Sequence, residues 1–177
     1  GLEPDNFKKE ERSMNIVIVG AHTVGKTALV NQICNSDSSQ TKPTIGAMFS
    51  HHTLETRRFS VKLQIWEISG IPKYRNLGPL YYHDAHAVIM VYDLTNDKTL
   101  ETCKSYYQEL KESAPEGILY VLLGNKVDFT CDFTVQASDE FLGNNFDISE
   151  RVSAKEGTSV SNVMERLTHI FVSKYSE

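Results

Sequence analysis

Gly20-Ala21-His22-Thr23-Val24-Gly25-Lys26-Thr27 is the stretch on which the reading of this chain turns. It fits the phosphate-loop pattern of Gly, four residues, then Gly-Lys-Ser/Thr. Ile16-Val17-Ile18-Val19 before it reads as a short β-branched strand, and Ala28-Leu29-Val30-Asn31-Gln32-Ile33 after it as a helix. In that setting the glycines let backbone N–H groups turn inward on an anion, and the helix N-terminus adds positive potential. His22, Thr23, Val24, Gly25 and Ala28 then face a phosphate group. Lys26 is placed to reach the outer phosphates, and the Thr27 hydroxyl is placed to bind Mg²⁺. A glycine loop that merely turned a strand into a helix would leave Lys26-Thr27 unexplained.

Working outward, apolar strands alternate with helical patterns. Two neighbouring strands at about 51–59 and 60–68 are expected to pair as a hairpin with its turn at 55–58. Ala87-Val88-Ile89-Met90-Val91-Tyr92 and residues 118–123 read as buried strands, and Leu100, Cys103, Tyr107 and Leu110 make a helical stripe between them. A helix near 135–142, a strand near 149–152 and a last helix after Gly157 complete the pattern. Strands alternating with helices imply an α/β fold, a six-stranded, mostly parallel sheet with one antiparallel edge strand and helices on both faces. Residues 1–13 read as a flexible N-terminal arm and 14–177 as one domain. Ligands of such sheets bind at the carboxyl ends of the strands, where Gly20, Gly70, Gly124 and Ser153 fall.

The composition narrows the partners. The 177 residues carry 18 basic and 23 acidic side chains, a net charge of -5, which argues against a nucleic-acid-binding face. Cys34, Cys103 and Cys131 are too few and too scattered for a disulfide framework, and suit reduced thiols in the cytoplasm. Apolar runs fall well short of the roughly 18 residues a membrane span needs.

Gly124-Asn125-Lys126-Val127-Asp128 follows the strand at 118–123. A carboxylate accepts two hydrogen bonds from N1 and the 2-amino group of guanine, a pair that adenine lacks, so Asp128 is read as the base selector. Lys126 can lie across the base and Asn125 can tie this loop to the phosphate loop. The backbone of Ser153-Ala154-Lys155 can meet the guanine carbonyl oxygen. GTP or GDP with Mg²⁺ is the ligand these residues imply. A phosphate-loop kinase of small metabolites is disfavoured by Asp128 and by the absence of an Arg-rich lid.

With these motifs the chain resembles the small GTPases of the Ras superfamily, and among them the Rabs, from Asn15 to Tyr175. The likeness runs through Lys62-Leu63-Gln64-Ile65-Trp66, Tyr74-Arg75-Asn76-Leu77-Gly78-Pro79-Leu80-Tyr81-Tyr82 and the strand from Ala87 to Asn96. Thr44-Ile45-Gly46-Ala47-Met48-Phe49 is most similar to the early-endosomal branch. The resemblance implies a switch in vesicle trafficking and protein transport, a cytoplasmic monomer working at endomembranes. Thr44 would bind Mg²⁺ in the GTP state and the Gly70 N–H would meet the γ-phosphate, ordering two switch loops. Phe49, Trp66 and Tyr81 match the aromatic triad that Rabs present to effector and regulator proteins.

The chain also departs from the family. Glu67-Ile68-Ser69-Gly70-Ile71-Pro72 stands where Asp-Thr-Ala-Gly-Gln-Glu is usual. Glu67 keeps the charge near the metal but adds a methylene that crowds its waters. Ile71 takes the place of the water-orienting glutamine, so no catalytic residue is intact and hydrolysis is expected to be very slow. His22 replaces a small residue over the γ-phosphate and would block an incoming arginine. Asp37 stands where an aromatic usually stacks on guanine. Rabs end in prenylated cysteines, whereas the last cysteine here is Cys131, so membrane association is expected only through a further tail or a partner. These departures raise the alternative of a pseudo-GTPase that holds nucleotide as an interaction module without cycling.

Overall fold

The computed structural model describes residues 8–35, 42–126 and 135–175. Asp37, Asp128 and Cys131 lie outside them. The strands are β1 (Glu10–Gly20), β2 (Lys42–Thr44), β3 (Ala47–Glu55), β4 (Phe59–Ile68), β5 (Ala87–Asp93), β6 (Leu119–Asn125) and β7 (Ile148–Val152). They form one sheet in the order β2-β3-β4-β1-β5-β6-β7. β1 pairs in parallel with both β4 and β5, and β6 and β7 continue the parallel set. β3 runs antiparallel to β4 through the turn at 56–58. The six-stranded, mostly parallel sheet is therefore present, and three residues of β2 extend it by a short ladder on β3.

Helices α1 (Lys26–Ile33), α2 (Gly78–Tyr82), α3 (Asp97–Ser113), α4 (Asp139–Leu142) and α5 (Val160–Tyr175) cover the sheet, and a 3₁₀ segment spans Pro72–Leu77. Alternation along β1 sorts the two cores. Met14, Ile16 and Ile18 pack toward Leu29 and Ile33 of α1 and Val163, Leu167 and Phe171 of α5. Val17 and Val19 pack on the other face with Leu100, Cys103 and Leu110 of α3. Because both faces are covered, β5 is buried at all seven positions, which explains its unbroken apolar run.

Three boundaries differ from the sequence reading. The strand expected at 51–59 runs from Ala47 to Glu55, where it pairs with residues 60–68, and Phe59 opens β4. β1 starts at Glu10, inside the stretch expected as an arm, because Glu10–Ser13 pair in register with Phe59–Lys62 at the far end of β4. The helix expected near 135–142 is confined to Asp139–Leu142. Ser138 is its N-cap, with a side chain that accepts the Phe141 N–H, while the Val135 N–H is drawn to the carbonyl of Leu94.

Candidate nucleotide site

The loop between β1 and α1 folds over the carboxyl edge of the sheet. Gly25 caps α1 at φ 102, and a Cβ there would come within 2.2 Å of Asn125 Nδ2, so glycine is required both by conformation and by space. Thr23 also has a positive φ, 71°, an unusual conformation for a β-branched residue that nothing in the sequence signals. Lys26 curls back under the loop. Its Nζ donates to the carbonyls of Gly20 and Ala21, each at 2.8 Å, and the residue is 6% exposed. Burial pulls its pKa down from 10.5 to about 8, against the raising influence of Glu67 and then Cys103. An ammonium held in this way is short of anionic partners, and a phosphate group supplies one.

The loop opens on a cleft of about 530 Å³ whose walls include His22, Lys26, Thr27, Thr44, Glu67 and Gly70. The phosphate-loop and switch residues inferred from the sequence therefore converge on one space. The Thr27 hydroxyl donates to Glu67 Oε2 at 2.7 Å, and the Thr44 hydroxyl donates to the carbonyl of Ala47 at 2.9 Å. Both hydroxyls keep lone pairs for a cation. A Cβ on Gly70 would lie 2.3 Å from the His22 backbone nitrogen, so the switch loop that carries Gly70, switch II, rests directly on the phosphate-loop backbone. The Ser69 N–H donates to the Gly46 carbonyl at 2.9 Å and links the two switches. The donor set fits a phosphate group and a hard divalent cation.

On the base side, Asn125 joins three loops. Its Nδ2 donates to the Val24 carbonyl at 2.8 Å, and its Oδ1 accepts the Ala154 N–H at 2.9 Å. The Ala154 N–H, expected to face the base, is thus engaged within the protein. Of its neighbours, Ser153 is fully buried and Lys155 exposed. Lys126 Nζ reaches Asp93 Oδ2 at 2.8 Å and the Thr23 carbonyl at 3.3 Å. Asp93 escaped the sequence reading. Burial alone would raise its pKa, but hydrogen bonds from Lys126 and Thr95 outweigh this and the net shift is downward. The signal was its position as a carboxylate closing an apolar strand, in register with Asn125.

Switch II is fastened to α3. Arg75 Nε meets Glu109 Oε2 at 2.9 Å, an η-nitrogen donates to Ser105 at 3.0 Å, and the guanidinium lies 3.5 Å from the centre of the Tyr106 ring. Ile71 is 39% exposed and is not among the residues lining the cleft, where Ser69 and Tyr74 supply the switch II hydroxyls. Phe49, Trp66 and Tyr81 stand together, with successive ring centres 4.8 Å apart, and Ile45 and Leu80, close to them in sequence, are exposed large apolar side chains. No helix among the described residues is long and apolar enough to cross a membrane.

A glycine loop at the end of β1, an Asn-Lys pair at the end of β6 and a cleft walled by Lys26, Thr27, Thr44 and Glu67 have the layout of a small-GTPase domain. Residues 15–173 match the Ras family, and the chain belongs to it. It is Rab-like within that family. It is 36% identical over 124 residues to a putative ras-related protein Rab-5B of Dictyostelium discoideum, covering 70% of this chain and 58% of that protein. It is 28% identical over 170 residues to the Ras-related protein Rab-5B of Plasmodium falciparum, covering 95% and 82%. With the GTP-binding protein ypt5 of Schizosaccharomyces pombe it shares 41% identity over 118 residues, covering 66% and 56%. The matched part is less than two thirds of the Dictyostelium and Schizosaccharomyces proteins.

Proposed function

We propose that the protein is a Rab-type guanine-nucleotide switch in vesicle trafficking whose GTP form is long-lived. The observation that carries this reading is the buried Lys26 ammonium, clasped by two loop carbonyls beside a cleft that also holds Thr27, Thr44 and Glu67. Lys26 would neutralise the outer phosphates, and Asn125 would hold the phosphate loop against the base loop. Mg²⁺, once bound, would offset phosphate charge at Thr27 and Thr44. Asp128 is the residue assigned to guanine selection. Slow hydrolysis is supported by the outward-facing Ile71, which leaves the cleft without a side-chain amide to orient water among the described residues. Phe49, Trp66 and Tyr81 are the proposed effector surface.

Chromatography of nucleotide released on denaturation tests the binding half of this reading, and guanine nucleotide is the expected content. Single-turnover phosphate release tests the other half. Intrinsic hydrolysis near about 10⁻⁴ s⁻¹, the scale of the reference Ras enzyme, would show that Ser69 or Tyr74 orients the water instead. A second reading, an interaction module that does not cycle, is favoured by the Arg75 anchor, which would hold switch II on α3 with either nucleotide. Equal amide exchange over residues 72–82 in the GDP and GTPγS forms would support it.

A further inference from the structure

Glu67 is the penultimate residue of β4, at the cleft, in register with Ile18 of β1 and Met48 of β3. It is half-buried and lines the cleft, and its Oε2 accepts the Thr27 hydroxyl at 2.7 Å. We propose that Glu67 binds the nucleotide-associated divalent cation directly, as an inner ligand beside Thr27, in place of a water. The proposal rests on the nucleotide and Mg²⁺ reading above.

The argument is one of reach. Mg²⁺ is near-octahedral with oxygens at about 2.0–2.1 Å, which puts neighbouring ligand oxygens about 2.9 Å apart. Thr27 Oγ1 and Glu67 Oε2, 2.7 Å apart, already form an edge of nearly that length. An aspartate at the same place in the strand would stop roughly one bond, about 1.5 Å, short and leave room for an intervening water. The extra methylene carries the carboxylate into the ion's first shell instead of merely crowding its waters. The strand fixes this placement, because Glu67 is paired on both sides and cannot retreat without breaking the end of the ladder. An anionic oxygen in place of a water also lowers the net charge at the ion and with it the pull on phosphate oxygens.

Mn²⁺ is the probe. The protein is loaded with GDP and Mn²⁺, and waters on the ion are counted from the broadening of its EPR lines in ¹⁷O-enriched water. Wild type is expected to carry one water fewer than Glu67→Asp. Infrared difference spectra of the wild type and Glu67→Gln give an independent reading. Adding Mg²⁺ to the GDP-loaded protein should shift a carboxylate stretch, and that shift should be missing in Glu67→Gln. Equal water counts on bound Mn²⁺, or an infrared shift that persists in Glu67→Gln, would overturn the direct ligand and leave the nucleotide reading standing. Failure of wild type to hold Mn²⁺ and GDP at all would overturn both.

Discussion

Raising the pH above 8 should weaken nucleotide binding through Lys26. Burial lowers its pKa from 10.5 to about 8, with the charge on Glu67 acting in the opposite direction. That difference corresponds to about 3 kcal/mol, each pH unit being worth roughly 1.4 kcal/mol. At pH 8.5 roughly three quarters of Lys26 in nucleotide-free protein is neutral, and at pH 7 roughly one tenth. A bound phosphate restores the ammonium. GDP binding should therefore take up about 0.75 proton at pH 8.5 and about 0.1 at pH 7, with affinity falling about fourfold between them. Titration calorimetry in two buffers of different ionisation enthalpy reads the proton count. Stability moves the other way: the folded pKa lies below the unfolded one, so the unfolded chain holds more protons between pH 8 and 10.5. Nucleotide-free protein should gain up to about 3 kcal/mol as pH rises across that window. Glu67→Gln removes the charge that raises the pKa and should shift the onset of uptake to lower pH. Proton uptake equal at pH 7 and 8.5 would refute the reasoning, because Lys26 would then carry the same charge with and without phosphate.

Three further outcomes follow from the geometry. Gly25→Ala puts a Cβ 2.2 Å from Asn125 Nδ2 at φ 102, and should cost about 1–2 kcal/mol in backbone strain and about 1–3 in the severed bond, read by urea unfolding; a loss well under 1 kcal/mol would mean the loop moves aside freely. Arg75→Ala should cost only about 1 kcal/mol globally, since its ion pair is partly exposed, yet speed amide exchange across residues 72–82 several-fold; unchanged exchange would place the anchor of switch II elsewhere. The Tyr82 hydroxyl is buried with no hydrogen-bond partner among the described residues, so Tyr82→Phe should stabilise by about 1 kcal/mol, and a lower melting temperature would reveal an ordered water on that hydroxyl.

What was legible in the sequence is what short-range pattern encodes. Each apolar strand ends in the residue type its position needs: glycine after Val19, Asn125 after the run on β6, Ser153 after Val152. That was enough for the sheet, the phosphate loop and the family. Less legible were features created by residues far apart in the chain. Nothing near Glu10 announces that β1 begins there, because the reason is the facing edge of β4. The Lys126–Asp93 pair and the Arg75–Glu109 anchor join residues whose approach depends on crossovers. The short α4 was legible in principle, since Ser138 ahead of Asp139 and Glu140 is an N-cap signal. The apolar pattern from Val135 outweighed it.

Asn125 has a consequence for how the protein assembles. Its two side-chain bonds span 101 and 29 residues of sequence, to Val24 and to Ala154. Loop-closure entropy is paid before contacts so distant can form, so they belong among the late events of folding. A partly folded chain with β1 to β5 in place would have a phosphate loop but no brace on it. The Ala154 amide, bonded among the described residues to that side chain, would then exchange with solvent whenever the β6–β7 edge opens. Competence to hold a ligand would thus arrive in a single step, after the last parallel strand has docked.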